Sequence, residues 1–222
     1  MSEQLMIELR QLVWARVIPG FVGLPDVESD VRDWAEDTGA PADQAVAEAR
    51  RLWAERDAES RLWTDSGDYG RLQAAFDELD AAGVLSRMNF ACCATCATHD
   101  IDDERTPNPA TDDWYGYREW AYVYFHEQDA EGLADDEPML YLGYSAFRPH
   151  PNLPVTLLDA MSDGDIAAER EVHERTETLV ATQIVDVLRR HGLDVTWSGS
   201  RRDRIAVRIT AWRKTLPQSI AS

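Results

Sequence analysis

Apolar residues recur at helical spacing through the first third of the chain, and after Gly83 short strand-like runs alternate with one long helical stripe. Behind Ser2, which suits an N-cap, Leu5, Leu9, Leu12 and Val13 line one face and predict a helix. The Pro19-Gly20-Phe21-Val22-Gly23-Leu24-Pro25 stretch breaks it, and a short helix follows near Val27 to Glu36. After Thr38-Gly39-Ala40, Pro41 stands where a first-turn proline belongs, ahead of Ala45, Val46, Ala49, Leu52 and Trp53 on one face. Ser66-Gly67-Asp68 introduces a fourth helix with Tyr69, Leu72, Phe76 and Leu79 inward and Gly83 just past its end.

Beyond Gly83 the period changes. Val84 to Phe90 reads as a strand, and Trp120 to Phe125 is apolar on both faces, as a strand covered on both sides requires. Met139 to Tyr144 reads the same way. Ser162 is placed to open a long helix striped by Val172, Leu179, Val180, Ile184, Val187 and Leu188 and ended by Gly192. Leu193, Val195 and Trp197, then Ile205, Val207 and Ile209, alternate with polar residues around Ser198-Gly199-Ser200 and predict a terminal hairpin.

The order is helices, then β-α-β-β-α-β-β, which gives an α+β (or α/β) fold. We expect a mixed sheet of four to five strands with packed helices over residues 67–222, preceded by a helical segment over residues 1–66. The strands near Tyr122 and Leu142 should be central, with the Ile205 strand at or near an edge.

Charge narrows the function. A net −19 with Lys214 as the single lysine repels phosphate backbones and anionic lipid, so we expect neither nucleic acid nor membrane as partner. The same surface suits a basic protein partner, and a regulatory or inhibitor-like binding module is one reading of the whole chain. The arginine, alanine and aspartate bias is that of a GC-rich genome. No apolar run approaches the ~20 residues of a membrane span, and the start lacks the layout of a signal peptide. Together with three clustered, unpaired cysteines this predicts a cytoplasmic protein. Asp100 to Glu104 and Glu127 to Glu137 lack calcium-loop spacing and read as solvated acidic stretches. Nothing in the chain indicates a nucleotide cofactor.

The three cysteines fall within five residues, Cys92-Cys93-Ala94-Thr95-Cys96, with His99 three further on. Three readings follow. If a helix runs through them, Cys92, Cys96 and His99 fall within roughly 60° of one another at about 100° per residue, and Cys93 points elsewhere. Two thiolates and an imidazole suit zinc, and no Arg or Lys lies between Cys92 and Glu104 to stabilise free thiolates. Alternatively a strand-then-helix step makes Cys93 the exposed nucleophile and Cys96 the resolving thiol of a redox pair, with Cys92 turned into the core. In the third, the cysteines only pack. His126 sits where the Phe125 strand runs out. Were the strands ending at Phe90 and Phe125 parallel, their carboxyl ends would share one sheet edge, and His126 could supply a fourth ligand or a base there. In the plainer alternative, His126 and Asp129 cap the next helix.

The Phe90-Ala91-Cys92-Cys93-Ala94-Thr95-Cys96 and Tyr124-Phe125-His126-Glu127-Gln128-Asp129 segments, with the final Trp-containing hairpin, resemble a bacterial domain family of unknown function. Its marks are Phe-x-Cys-Cys-x-x-Cys and His-x-Gln-Asp. The resemblance runs roughly from Leu72 to Trp212, and Ala97 stands where that family often has glycine. It implies kinship and no mechanism.

Overall fold

The computed structural model describes residues 1–109 and 115–218, which separate into two units. The first comprises Met1–Gly70, Ala130–Pro138 and Ile209 onward. Its helices are α1 (Glu3–Val17), α2 (Leu24–Thr38) and α3 (Ala42–Ser60). Ser2 caps α1 as expected, its hydroxyl accepting from Leu5 N–H. Helix α2 is longer than its pattern suggests. It begins at Leu24 because Pro25 fits the first turn, and ends on Gly39 in the left-handed region. Leu9, Val13, Val17, Val27, Val31, Ala45, Ala49 and Leu52 make this unit's core. Asp68, at the start of α4 (Gly67–Ala81), ties the C-terminal segment back, accepting from Thr210 N–H at 2.7 Å and Ala211 N–H at 2.9 Å.

The second unit, Arg71–Asp129 and Met139–Arg208, carries one five-stranded sheet in the order β1-β2-β3-β5-β4. The strands are β1 (Val84–Arg87), β2 (Ala121–Tyr124), β3 (Met139–Ala146), β4 (Asp194–Thr196) and β5 (Ile205–Arg208). Strands β1 and β2 are parallel, and every other pairing is antiparallel. The fold is therefore α+β with a mixed sheet, β3 at its centre and β5 one strand from the edge. Wholly buried Val84, Ala121, Val123, Leu140, Leu142, Ile205 and Val207 form its packed interior.

Two further elements depart from expectation. The strand predicted to reach Phe90 stops at Arg87, because the chain then enters a turn with Asn89 and Ala91 at positive φ. Ser162 closes a helix, α7 (Val155–Ser162), instead of opening the long one. Gly164 turns the chain at φ 88°, and Asp165 caps α8 (Ile166–Arg190) by accepting from Ala167 and Ala168 N–H. Helix α8 then lays Val172, Val180, Ile184 and Leu188 inward beside β3 and α7.

Candidate metal centre

The cysteine turn is built at the carboxyl end of the parallel pair. Phe125 N–H donates to Arg87 O at 3.2 Å and Phe90 N–H returns to Phe125 O at 2.9 Å, so the chain leaving β1 wraps the end of β2. The left-handed region is tolerated by Asn89 but costs alanine about 1–2 kcal/mol. Ala91 is held there by its carbonyl, which accepts from Glu127 N–H at 3.1 Å. Cys92 follows, and Cys93 is the extended N-cap (φ −153°, ψ 170°) of α5 (Ala94–Asp100), its carbonyl accepting from Ala97 N–H.

This start point changes which thiols meet. Cys92 lies before the helix, so counting it at 100° per residue does not apply. Cys92, Cys93 and Cys96 instead place their sulfurs within 4.8 Å of one another, with Cys92 Sγ 3.5 Å from Cys96 Sγ. Cys93 is thus turned into the group and not away from it. Cys92 is the exposed thiol and the other two are half-buried, which overturns the expectation of Cys92 in the core and Cys93 as the more exposed.

The electrostatics are unequal. The backbone N–H of Cys96, then the thiols of Cys96 and Cys92 and the N–H of Thr95, hold the Cys93 thiol below the ordinary cysteine range. Cys96 is pushed up to about 11, first by the Cys92 and Cys93 thiols beside it. One sulfur favours the thiolate and its neighbour resists becoming a second.

Neither histidine joins a group of three or more ligand atoms among the described residues. His99 is on α5 with an exposed ring, its Nδ1 2.8 Å from Asp100 Oδ1, and that carboxylate raises its pKa. His126 is buried at the shared sheet edge, as the parallel strands require. Its backbone N–H donates to Asp129 Oδ2, and Asp129 N–H donates to His126 Nδ1. That reciprocal pair is a capping box for α6 (Glu127–Glu131). Asp129 also takes both arms of Arg204, at 2.8 and 2.5 Å, and Arg204 reaches on to Tyr141 O. The His-x-Gln-Asp segment therefore fixes the helix whose Glu127 N–H holds Ala91.

Tyr124 and Arg204 support the turn, and the sequence pattern did not single out either for this role. The Tyr124 ring lies edge-on to Phe90 at 6.4 Å, and its hydroxyl is 3.5 Å from Thr98 Oγ1 on α5. Gly143 makes room for it, since a Cβ there would sit 2.9 Å from Tyr124 Cζ. A glycine within an apolar strand is the signal of such a close approach. Arg87, at the other flank, holds Glu104 at 2.9 Å and with it the 3-10 turn Ile101–Glu104.

Three soft sulfurs at this spacing fit a thiophilic ion. With metal–sulfur bonds of about 2.3 Å, tetrahedral geometry separates ligand sulfurs by roughly 3.8 Å, a span bracketed by the 3.5 Å between Cys92 and Cys96 and the 4.8 Å within which all three lie. No helix is long and apolar enough to cross a membrane among the described residues. A family profile described as Domain of unknown function (DUF6891) matches residues 2–216. The match takes in the N-terminal helices, which the resemblance drawn from the cysteine and His-x-Gln-Asp segments left outside. No curated protein and no solved structure matches the chain.

Proposed function

The chain belongs to the DUF6891 family, a domain of unknown function, and from the geometry of its cysteine turn we propose that it binds one zinc ion through Cys92, Cys93 and Cys96. The observation that carries this reading is the convergence of three sulfurs within 4.8 Å on the turn between β1 and α5. Charge supports it. Hydrogen bonding to the Cys92 and Cys93 thiols, and then their charge, keeps the proton on Cys96, and Asp100, Asp102, Asp103 and Glu104 follow without a Lys or Arg between. A divalent cation is the group that lets all three ionise together.

Three protein ligands leave a fourth position, which we assign to solvent because Cys92 is exposed. His99 is the reserve ligand. Asp100 holds its Nδ1, the arrangement that orients a histidine to bind metal through Nε2. His126 is assigned to the capping box and not to the metal. An open position on zinc supports hydrolytic chemistry.

Cobalt(II) titration tests the reading. The full chain should develop a sulfur-to-cobalt charge-transfer band that saturates at about one equivalent, with the intense visible bands of tetrahedral coordination. Each single Cys→Ser variant should weaken that band, and His99→Ala should leave the visible bands in place if solvent fills the fourth position. A weak octahedral spectrum with no charge transfer would remove the proposal.

A further inference from the structure

The same three sulfurs hold a second chemistry, and the inference rests on the metal reading above. We propose that Cys92 and Cys96 form an intramolecular disulfide that excludes the metal, so that the site binds zinc only when reduced. The Cys92 and Cys96 sulfurs are 3.5 Å apart, while a disulfide needs about 2.05 Å. The sulfurs must therefore close by roughly 1.5 Å. Cys92 lies outside α5 and is exposed, so its side chain makes that movement without disturbing the helix. Cys93 is the N-cap, whose backbone carbonyl accepts from Ala97 N–H and starts α5, so moving it would disturb the helix. The bond therefore forms around Cys93 and leaves it as a single sulfur ligand. One sulfur in place of three cannot retain the ion.

The oxidant is of the peroxide class, and the open side of the cluster admits it. One thiolate of the pair attacks a peroxide oxygen, the O–O bond breaks, and the departing hydroxide takes a proton to become water. The sulfur is left as a sulfenic acid. The partner thiolate attacks that sulfur, the S–O bond breaks, the second hydroxide leaves as water, and the S–S bond forms. Two electrons pass from the two sulfurs to the peroxide, and the metal departs as its aqua ion. Metal and disulfide compete for the same two atoms.

The test loads the reduced full chain with zinc(II), adds hydrogen peroxide, and follows release with a chromophoric chelator. The expected result is release of about one zinc per chain together with loss of the mass of two hydrogens. Tandem mass spectrometry should place the bond between Cys92 and Cys96, and dithiothreitol should reverse both changes. The apo Cys93→Ser variant should still form the bond, and apo Cys92→Ser should not. Should the variants fail to fold, the wild-type mapping decides alone. Zinc lost only as cysteines pass to sulfinic or sulfonic acid, or with chain-to-chain bonds, overturns the switch and leaves the metal reading standing. A reduced chain that forms the Cys92–Cys96 bond yet takes up no zinc overturns the metal reading and the switch with it.

Discussion

Acidifying the solution from about pH 8 to about pH 6 should weaken zinc binding by about 100-fold through Cys96 alone. The magnitude comes from the crowding of the sulfurs. Cys96 is raised to about 11 by the neighbouring Cys92 and Cys93 thiols, so it carries its proton throughout that range. The ion must displace this proton. Metal and proton compete for one sulfur, so apparent affinity falls about tenfold for each unit by which pH falls. Cys93, held below the ordinary cysteine range first by the N–H of Cys96, gives up its proton to the ion more readily than Cys96 does. Competition titrations against a chelator of known pH-corrected affinity would read the slope. Calorimetry in two buffers of different ionisation enthalpy would count the protons released. In Cys96→Ser the slope should drop by about one. An affinity that is flat between these pH values, or a slope that Cys96→Ser leaves unchanged, would mean that Cys96 gives up no proton to the ion.

Three further predictions concern the frame around the site. Gly143→Ala sets a Cβ 2.9 Å from Tyr124 Cζ, and overpacking of about 1–3 kcal/mol outweighs the ~0.5–1 kcal/mol gained by removing a strand glycine. Urea unfolding should show a net loss of about 1–2 kcal/mol, and an unchanged midpoint would mean that Tyr124 is not fixed. Asp129→Asn leaves Arg204 without its two-armed partner, and because Arg204 is partly exposed the loss should be about 1–3 kcal/mol; full wild-type stability would contradict the role given to the capping box. Burial opposes ionisation of Glu119, but the N–H of Thr106 and the Arg118 guanidinium overcome it and lower its pKa. A lowered carboxyl stabilises the fold above its unfolded value and loses that contribution as pH falls through the folded one. Stability measured from about pH 5 to about pH 3 should therefore decline less steeply in Glu119→Gln than in the wild type.

Much of the architecture was legible because the signals were local. Ser2 is the cap it looks like, the Ser198-Gly199-Ser200 turn joins an antiparallel pair, and the doubly apolar Ala121–Tyr124 segment is an inner strand. Helix α7 escaped because none of its residues is buried, so no stripe marks it. Ser162 and Asp165 are both good caps, and only the left-handed Gly164 between them tells which one starts α8. The candidate site was legible as a location and misread in detail. The helix begins at Ala94, which puts Cys92 and Cys93 on nonhelical backbone and defeats any argument from helical angles. Ala91 gives no sequence sign of its positive φ, since the cause is a bond from Glu127, 36 positions away. Arg204 reaches Asp129 across 75 positions, a pairing that no local pattern encodes.

The central claim is that Cys92, Cys93 and Cys96 act together as ligands to one ion. Elemental analysis of the full chain, purified without chelators under reducing conditions, tests it most directly when paired with a thiol titration on the same sample. The expected result is about one zinc per chain, and three thiols that react slowly until a chelator removes the metal. Less than about a tenth of an equivalent of any thiophilic metal, with all three thiols titrating at once, would contradict it.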